Sequence, residues 1–186
     1  MSQTAADPSA STDRENLSPG EYVDSDHPAI CAFAKARVAQ AQTSEEQARA
    51  LYRAVRDEIR YDPYVDYTDF ETYRASSVLQ RGRGYCVGKA ALYAALCRAA
   101  GIPARVGFAD VRNHLATRRL LEAVGTDLFA WHGYVELQLN GRWVKAMPTL
   151  NAALCDKLGG VVLEFDGPEM PSSRPSTEKG GRSCST

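Results

Sequence analysis

In the stretch Gly84-Tyr85-Cys86-Val87-Gly88-Lys89-Ala90 a glycine-bounded loop opens into an amphipathic helix with a cysteine at its start. Unpaired backbone N–H groups and the positive end of the helix dipole stabilise a thiolate there, and lower a thiol pKa from its free value of about 8.5. Arg83 and Lys89 add positive charge nearby. Such a thiol becomes an acyl-transfer nucleophile when a base reaches it and a third group orients the base. Of the three histidines, His132 in Trp131-His132-Gly133-Tyr134 and His114 after Val111-Arg112-Asn113 are the candidate bases, and His27 reads as a helix-start residue.

The elements that must position these residues form a helical first half and a mixed second half. Pro28 suits a first helical position, and an alanine-rich run carries helix one to about Ala41. Thr43-Ser44-Glu45-Glu46 is a capping box that opens helix two, with Ala48, Leu51, Tyr52, Val55 and Ile59 on one face. Residues 64–80 carry aromatics without a period and read as an ordered loop over part of a cleft. The Cys86 helix then buries Ala90, Tyr93, Leu96, Cys97 and Ala100 and stops at Gly101. A strand over 105–109, a helix over 115–124 and a last strand over 161–165 follow.

Phe129 to Leu139 and Arg142 to Ala146 are β-rich and separated by only Asn140-Gly141, a hairpin signature. Helices followed by a mostly antiparallel sheet make an α+β domain. The hairpin also sets a register: Leu139 opposes Arg142, and continued pairing sets His132 opposite Thr149, with Met147 and Asn151 on the same face. The group that orients His132 is therefore expected at 147, 149 or 151, unless Pro148 ends the pairing first.

Length and composition bound the rest. The 186 residues suit one domain, expected over 21–166, with a disordered lead over 1–20 and a disordered Pro-, Ser-, Gly- and Lys-rich tail over 167–186. Twenty-two basic against 23 acidic side chains leave no field to recruit nucleic acid or an anionic membrane. No apolar run is long enough to span a bilayer, and the N-terminus lacks the basic and apolar regions of a secretory signal. Five cysteines at 31, 86, 97, 155 and 184 form no Cys-x-x-Cys pair, so a reducing, cytoplasmic setting is expected. Cys31, Cys97 and Cys155 read as core residues. Trp131, Tyr134 and Trp143 read as core or cleft-wall aromatics, and Arg112, Arg118 and Arg119 as a solvated face.

Four blocks taken in order, Gly84-Tyr85-Cys86, Arg98 to Arg105, Trp131 to Glu136 and Asn140 to Trp143, resemble the transglutaminase-like superfamily across about Tyr52 to Asn151. The flanks Val55 to Tyr64 and Leu163 to Gly167 resemble a bacterial branch of uncharacterised members. The resemblance implies a papain-like core: the nucleophile helix, bearing Cys86, packed on a mostly antiparallel sheet that carries His132. It also implies an aspartate before the Pro-Thr after the hairpin, where this chain has Met147. Thr149 and Asn151 remain as substitutes, and Asn151 is favoured because Cys-His-Asn is a working triad. Members of the branch continue with folded sequence where this chain has its tail, so a truncated or diverged C-terminus is expected.

The expected function is thus a cysteine-dependent acyl transfer on peptide or amide carbonyls through a thioester, with Cys86, His132 and Asn151 as catalytic residues and a peptide or protein substrate. Backbone N–H groups at the helix start, including that of Cys86, are the expected oxyanion donors, and Gln80, six residues before the nucleophile, is a further candidate. No cofactor is needed and no EF-hand loop is present. The alternatives are a catalytically dead fold used for binding, and a zinc site of Cys86, His132 and His114 that lacks ligand spacing.

Overall fold

A computed structural model of the chain describes residues 14–112, 118, 122, 125, 126, 128–151 and 165. Helix α1 (Pro28–Val38) begins as expected: Pro28 is its first residue and His27 Nδ1 accepts the Ala29 N–H at 3.2 Å. It ends at Val38, short of residue 41. Helix α2 (Ser44–Glu58) is capped by Thr43, whose Oγ1 accepts the Glu46 N–H at 3.2 Å. The Glu46 carboxylate reaches back to the Gln42 N–H at 2.7 Å, one residue beyond the usual reciprocal bond of a capping box. Ala48, Leu51, Tyr52 and Val55 form its buried stripe.

After α2 the chain turns extended into β1 (Arg60–Tyr61), which pairs in parallel with β2 (Arg83–Gly84), Tyr61 opposite Gly84. Between them the expected loop is instead a 3₁₀ turn (Phe70–Thr72) and helix α3 (Ala75–Arg81), closed by Gly82 at φ 60°. Two-residue strands leave no readable period, and α3 has seven residues with no side-chain cap, so neither announces itself.

Helix α4 (Cys86–Ala99) is the centre of the molecule. Every residue from Ala90 to Cys97 is buried, the pattern of a helix enclosed on all sides. The chain leaves it through Gly101 at φ 82°, where the Ile102 N–H returns to the Cys97 carbonyl at 2.9 Å. Strands β3 (Ala104–Arg112), β4 (Leu128–Leu139) and β5 (Arg142–Ala146) form an antiparallel sheet in that order. Asn140 and Gly141, both at positive φ, make the hairpin turn, and Leu139 opposes Arg142 as the sequence requires. Val135, Leu137 and Leu139 of β4 bury into the same core as α4, which makes the fold α+β with the central helix packed on an antiparallel sheet.

Several expectations change. Residues 14–20, expected within a disordered lead, join the folded unit: the Ala104 N–H donates to the Asn16 carbonyl at 3.0 Å, and Arg98 donates to the Ser18 carbonyl at 2.6 Å. Cys31 is exposed rather than buried, its Sγ donating to the Ser25 carbonyl at 3.4 Å, whereas Cys97 is in the core. Of the helix expected over 115–124, Arg118 and Glu122 are described, both helical. His114, Cys155 and the strand expected over 161–165, apart from Phe165, lie outside the described residues. Phe165 is buried beside Tyr52, with ring centroids 5.7 Å apart. Among the described residues, no helix is long and apolar enough to cross a membrane.

Candidate active site

Cys86 is the first residue of α4, following an extended Tyr85. Strand β4 crosses this helix start so closely that a Cβ on Gly133 would lie 2.9 Å from Val87 Cα and 3.2 Å from the Cys86 carbonyl oxygen. Glycine is required because backbone meets backbone there. The residue before Gly133 is His132, which lines the same cleft as Cys86. Its strand is irregular at that point: the β3–β4 register shifts between Ala109 and Val111, and Trp131 adopts φ 58°, its N–H bonded to Asp110 Oδ1 at 3.2 Å. A bulge and a left-handed tryptophan re-aim side chains beside the helix start, a use of local strain common at functional sites.

The ring of His132 is held from one side. Its Nε2 lies 3.1 Å from Thr149 Oγ1, and Thr149 is buried. Burial pushes the His132 imidazole down to about 4. Burial also pushes the Cys86 thiol up, and the backbone N–H groups of Gly133, Val87 and Cys86, which favour the thiolate, offset it only in part. The lowered thiol pKa expected from the helix start is therefore not found, because desolvation outweighs these donors. Both shifts favour the neutral thiol and the neutral imidazole over the ion pair.

The charges expected near the thiol are placed elsewhere. Lys89 is fully buried, and its Nζ donates to the carbonyls of Arg56 at 3.1 Å and Ile59 at 2.6 Å. Arg83 pairs with Asp62 at 3.0 Å. Gln80 is exposed on α3 and does not line the cleft, so it is no oxyanion donor in this arrangement.

The cleft itself has a volume of about 830 Å³ and is walled by aromatic rings. Tyr67 and Tyr73 pack edge-on against Tyr85 at 5.2 and 5.8 Å between centroids, and Phe108 meets Trp131 at 6.2 Å. Trp131 is thus a cleft-wall residue, 74% exposed. Tyr134 and Trp143 stand outside the cleft, beneath Lys145 and Arg105 respectively. Arg118 is exposed near Glu122 at 3.7 Å, a solvated pair.

The family model of the transglutaminase-like superfamily matches residues 32–148. The chain belongs to this superfamily. Among solved structures, it resembles a candidate cysteine protease from Cytophaga hutchinsonii with a TM-score of 0.59 at 21% identity, covering 77% of this chain and 43% of that one. It also matches the periplasmic domain of TgpA from Pseudomonas aeruginosa with a TM-score of 0.49 at 25% identity, covering 77% of this chain and 48% of that domain. The chain thus spans less than half the length of both. No curated protein matches it.

Within this transglutaminase-like fold Asn151 is not placed as expected. Its Oδ1 accepts the Tyr61 N–H at 2.8 Å, and its Nδ2 donates to the Arg56 carbonyl and, at 3.0 Å, to the Ile59 carbonyl. Its amide is spent at the junction of α2 and β1, and the hydroxyl of Thr149 holds His132 instead. Sequence reasoning also missed that Lys89 caps the same two carbonyls. A lone lysine among the apolar residues of α4 was the available signal, since an ammonium enclosed there must find carbonyl partners.

Proposed function

We propose that this chain is a cysteine-dependent acyl-transfer enzyme of transglutaminase-like type, acting on peptide or amide carbonyls. The observation that carries the reading is the convergence of Cys86 and His132 on one cleft, with Gly133 seated on the helix start and Thr149 bonded to the imidazole. With Nε2–H donated to Thr149 Oγ1, the Nδ1 lone pair is left for the thiol proton. That proton moves to Nδ1 as sulfur attacks the carbonyl carbon, and the carbonyl oxygen takes the electron pair facing the Cys86 N–H. Collapse of the adduct expels the amine, which takes the proton from His132 and leaves a thioester on Cys86. Water or a second amine then attacks the thioester and frees the thiol.

A second reading, a binding module on the same fold, is favoured by two observations. A hydroxyl stands at His132 where the superfamily resemblance implies a carboxylate, and the thiol is pushed up rather than down.

Acylation by an N-acyl-amino-acid p-nitrophenyl ester, read as a mass adduct on Cys86, separates the two. The enzyme reading expects an adduct that is abolished in Cys86→Ser and formed about 10²-fold or more slowly in His132→Ala. Acylation indifferent to His132 would leave the binding module.

A further inference from the structure

We propose that the acyl donor is uncharged next to its reacting carbonyl and carries a bulky apolar or aromatic side chain there, a refinement that rests on the reading of Cys86 and His132 as the reacting pair. No Asp, Glu, Lys or Arg is among the described residues lining the cleft. A charged side chain entering it would lose its hydration and meet no counter-charge. The walls instead offer aromatic rings, Phe108 and Trp131 from the sheet and Tyr67 and Phe70 from the segment between β1 and α3. These four rings are each about half exposed or more, and they gather at one cleft rather than scattering over the surface. Exposed apolar surface concentrated around a nucleophile marks where a ligand is buried.

The test uses three p-nitrophenyl esters identical except for Phe, Glu or Lys at the acyl residue, with acylation of Cys86 read by intact mass. The Phe ester is expected to acylate about tenfold or more faster than either charged ester. Phe108→Ala, which trims the β3 side of the cleft and leaves the Cys86 and His132 side chains unchanged, is expected to shrink that advantage severalfold. His132-dependent acylation that is as fast with Glu or Lys as with Phe would overturn the substrate class alone. Acylation independent of His132 would overturn the enzyme reading and this refinement together.

A separate observation concerns Tyr61. The residues that line the cleft with Cys86 include Tyr61, Tyr67 and Tyr85. The Tyr67 hydroxyl donates to the Pro63 carbonyl at 2.6 Å, and that of Tyr85 is engaged with Tyr73. Among the described residues the Tyr61 hydroxyl has no hydrogen-bond partner. Its backbone is fixed twice, by the parallel pairing with Gly84, two residues before the nucleophile, and by the bond to Asn151 Oδ1.

The geometry points to the Tyr61 phenol as a second oxyanion donor beside the Cys86 N–H, with Asn151 as its positioning residue. Burial keeps the phenol protonated, so the donor persists at any working pH. Tyr61→Phe removes the hydroxyl and keeps the ring. Ester acylation of Cys86 is expected to slow about 10²-fold with KM little changed, while alkylation by iodoacetamide, which develops no oxyanion, keeps its wild-type rate. Unchanged acylation in Tyr61→Phe, or equal loss of acylation and alkylation, would overturn the assignment. Absence of His132-dependent acylation in the wild type would remove the reaction itself.

Discussion

His132 and Thr149 are bonded at 3.1 Å at the position where the hairpin register, carried three residues beyond its last paired residues, sets them opposite each other. The ladder stops at Ala146, and Pro148 has no N–H with which to continue it. Side-chain geometry therefore extends the register after the backbone has stopped pairing. The imidazole is fixed by one neutral hydroxyl, so the contact is a single hydrogen bond.

Thr149→Val keeps the shape and removes that bond. Losing about 1 kcal/mol of orientation corresponds to roughly five- to tenfold slower acylation of Cys86. Thr149→Ser, which retains the hydroxyl, is expected to stay within about twofold. Stopped-flow release of p-nitrophenol checks both, and equal rates for valine and serine would show that the hydroxyl does not orient the ring.

Gly133 makes a sharper demand, because a Cβ there meets backbone of Cys86 and Val87, which has no rotamer to yield. Gly133→Ala is expected to lift β4 from the start of α4, costing about 1–3 kcal/mol and most of the His132-dependent reactivity together. The atoms nearest a Cβ on Gly107 belong to the far end of the Tyr134 ring, the first at 2.5 Å, and that side chain can swing away. Gly107→Ala is therefore expected to leave acylation of Cys86 near its wild-type rate. Thermal melts of the two variants alongside the acylation assay check the contrast.

The site was legible where local chemistry is strong and opaque where it depends on long-range burial. The capping residue Thr43, the Asn140-Gly141 turn and the Gly101 cap each act within a few residues, so spacing alone located them. The set of candidate partners for His132 was legible for the same reason, since a hairpin fixes its own register. Which candidate it is was not, because Asn151 is drawn off by the Arg56 and Ile59 carbonyls at the end of α2, more than 90 residues away in sequence. The thiol was misjudged likewise: the helix-start donors are local and visible, whereas the desolvation that outweighs them comes from distant elements.

Asn151 and Lys89 share two carbonyls, so their loss falls on stability before chemistry. Asn151→Leu leaves the Tyr61 N–H unpaired and the carbonyls of Arg56 and Ile59 with Lys89 alone. Stability is expected to drop by about 2–3 kcal/mol. The pH dependence conferred by His132 should not move, because Asn151 does not touch the ring. Urea denaturation with a parallel pH–rate profile decides between this assignment and an Asn that orients the histidine, which would shift the profile.

The neutral pair predicts the pH course of alkylation. With the thiol pushed up and the imidazole pushed down to about 4, both by burial, the neutral pair is favoured over a thiolate–imidazolium pair at neutral pH. Iodoacetamide labelling of Cys86 is expected to be slow between pH 6 and 8 and to rise only on the alkaline side. A plateau of fast labelling across pH 6–8 would show that the ion pair forms without substrate.

Two buried bases, His132 and Lys89, make stability rise with pH in separate windows. His132 titrates near 4 folded and near 6.5 unfolded, so the unfolded chain binds the extra proton between those values. Its contribution is a penalty that is complete below pH 4, shrinks up to 6.5 and is absent above, worth at most about 3 kcal/mol. Lys89, held near 7 by burial against 10.5 unfolded, does the same between pH 7 and 10.5. Denaturation free energies of wild type, His132→Gln and Lys89→Met, measured from pH 4.5 to 9.5, should therefore diverge on opposite sides of neutrality. The glutamine variant loses less stability than wild type as pH falls below 6.5, and the methionine variant gains less as pH rises above 7. If the acid-side slope of His132→Gln matches that of the wild type, the imidazole is solvated and the cleft is wetter than its aromatic walls imply.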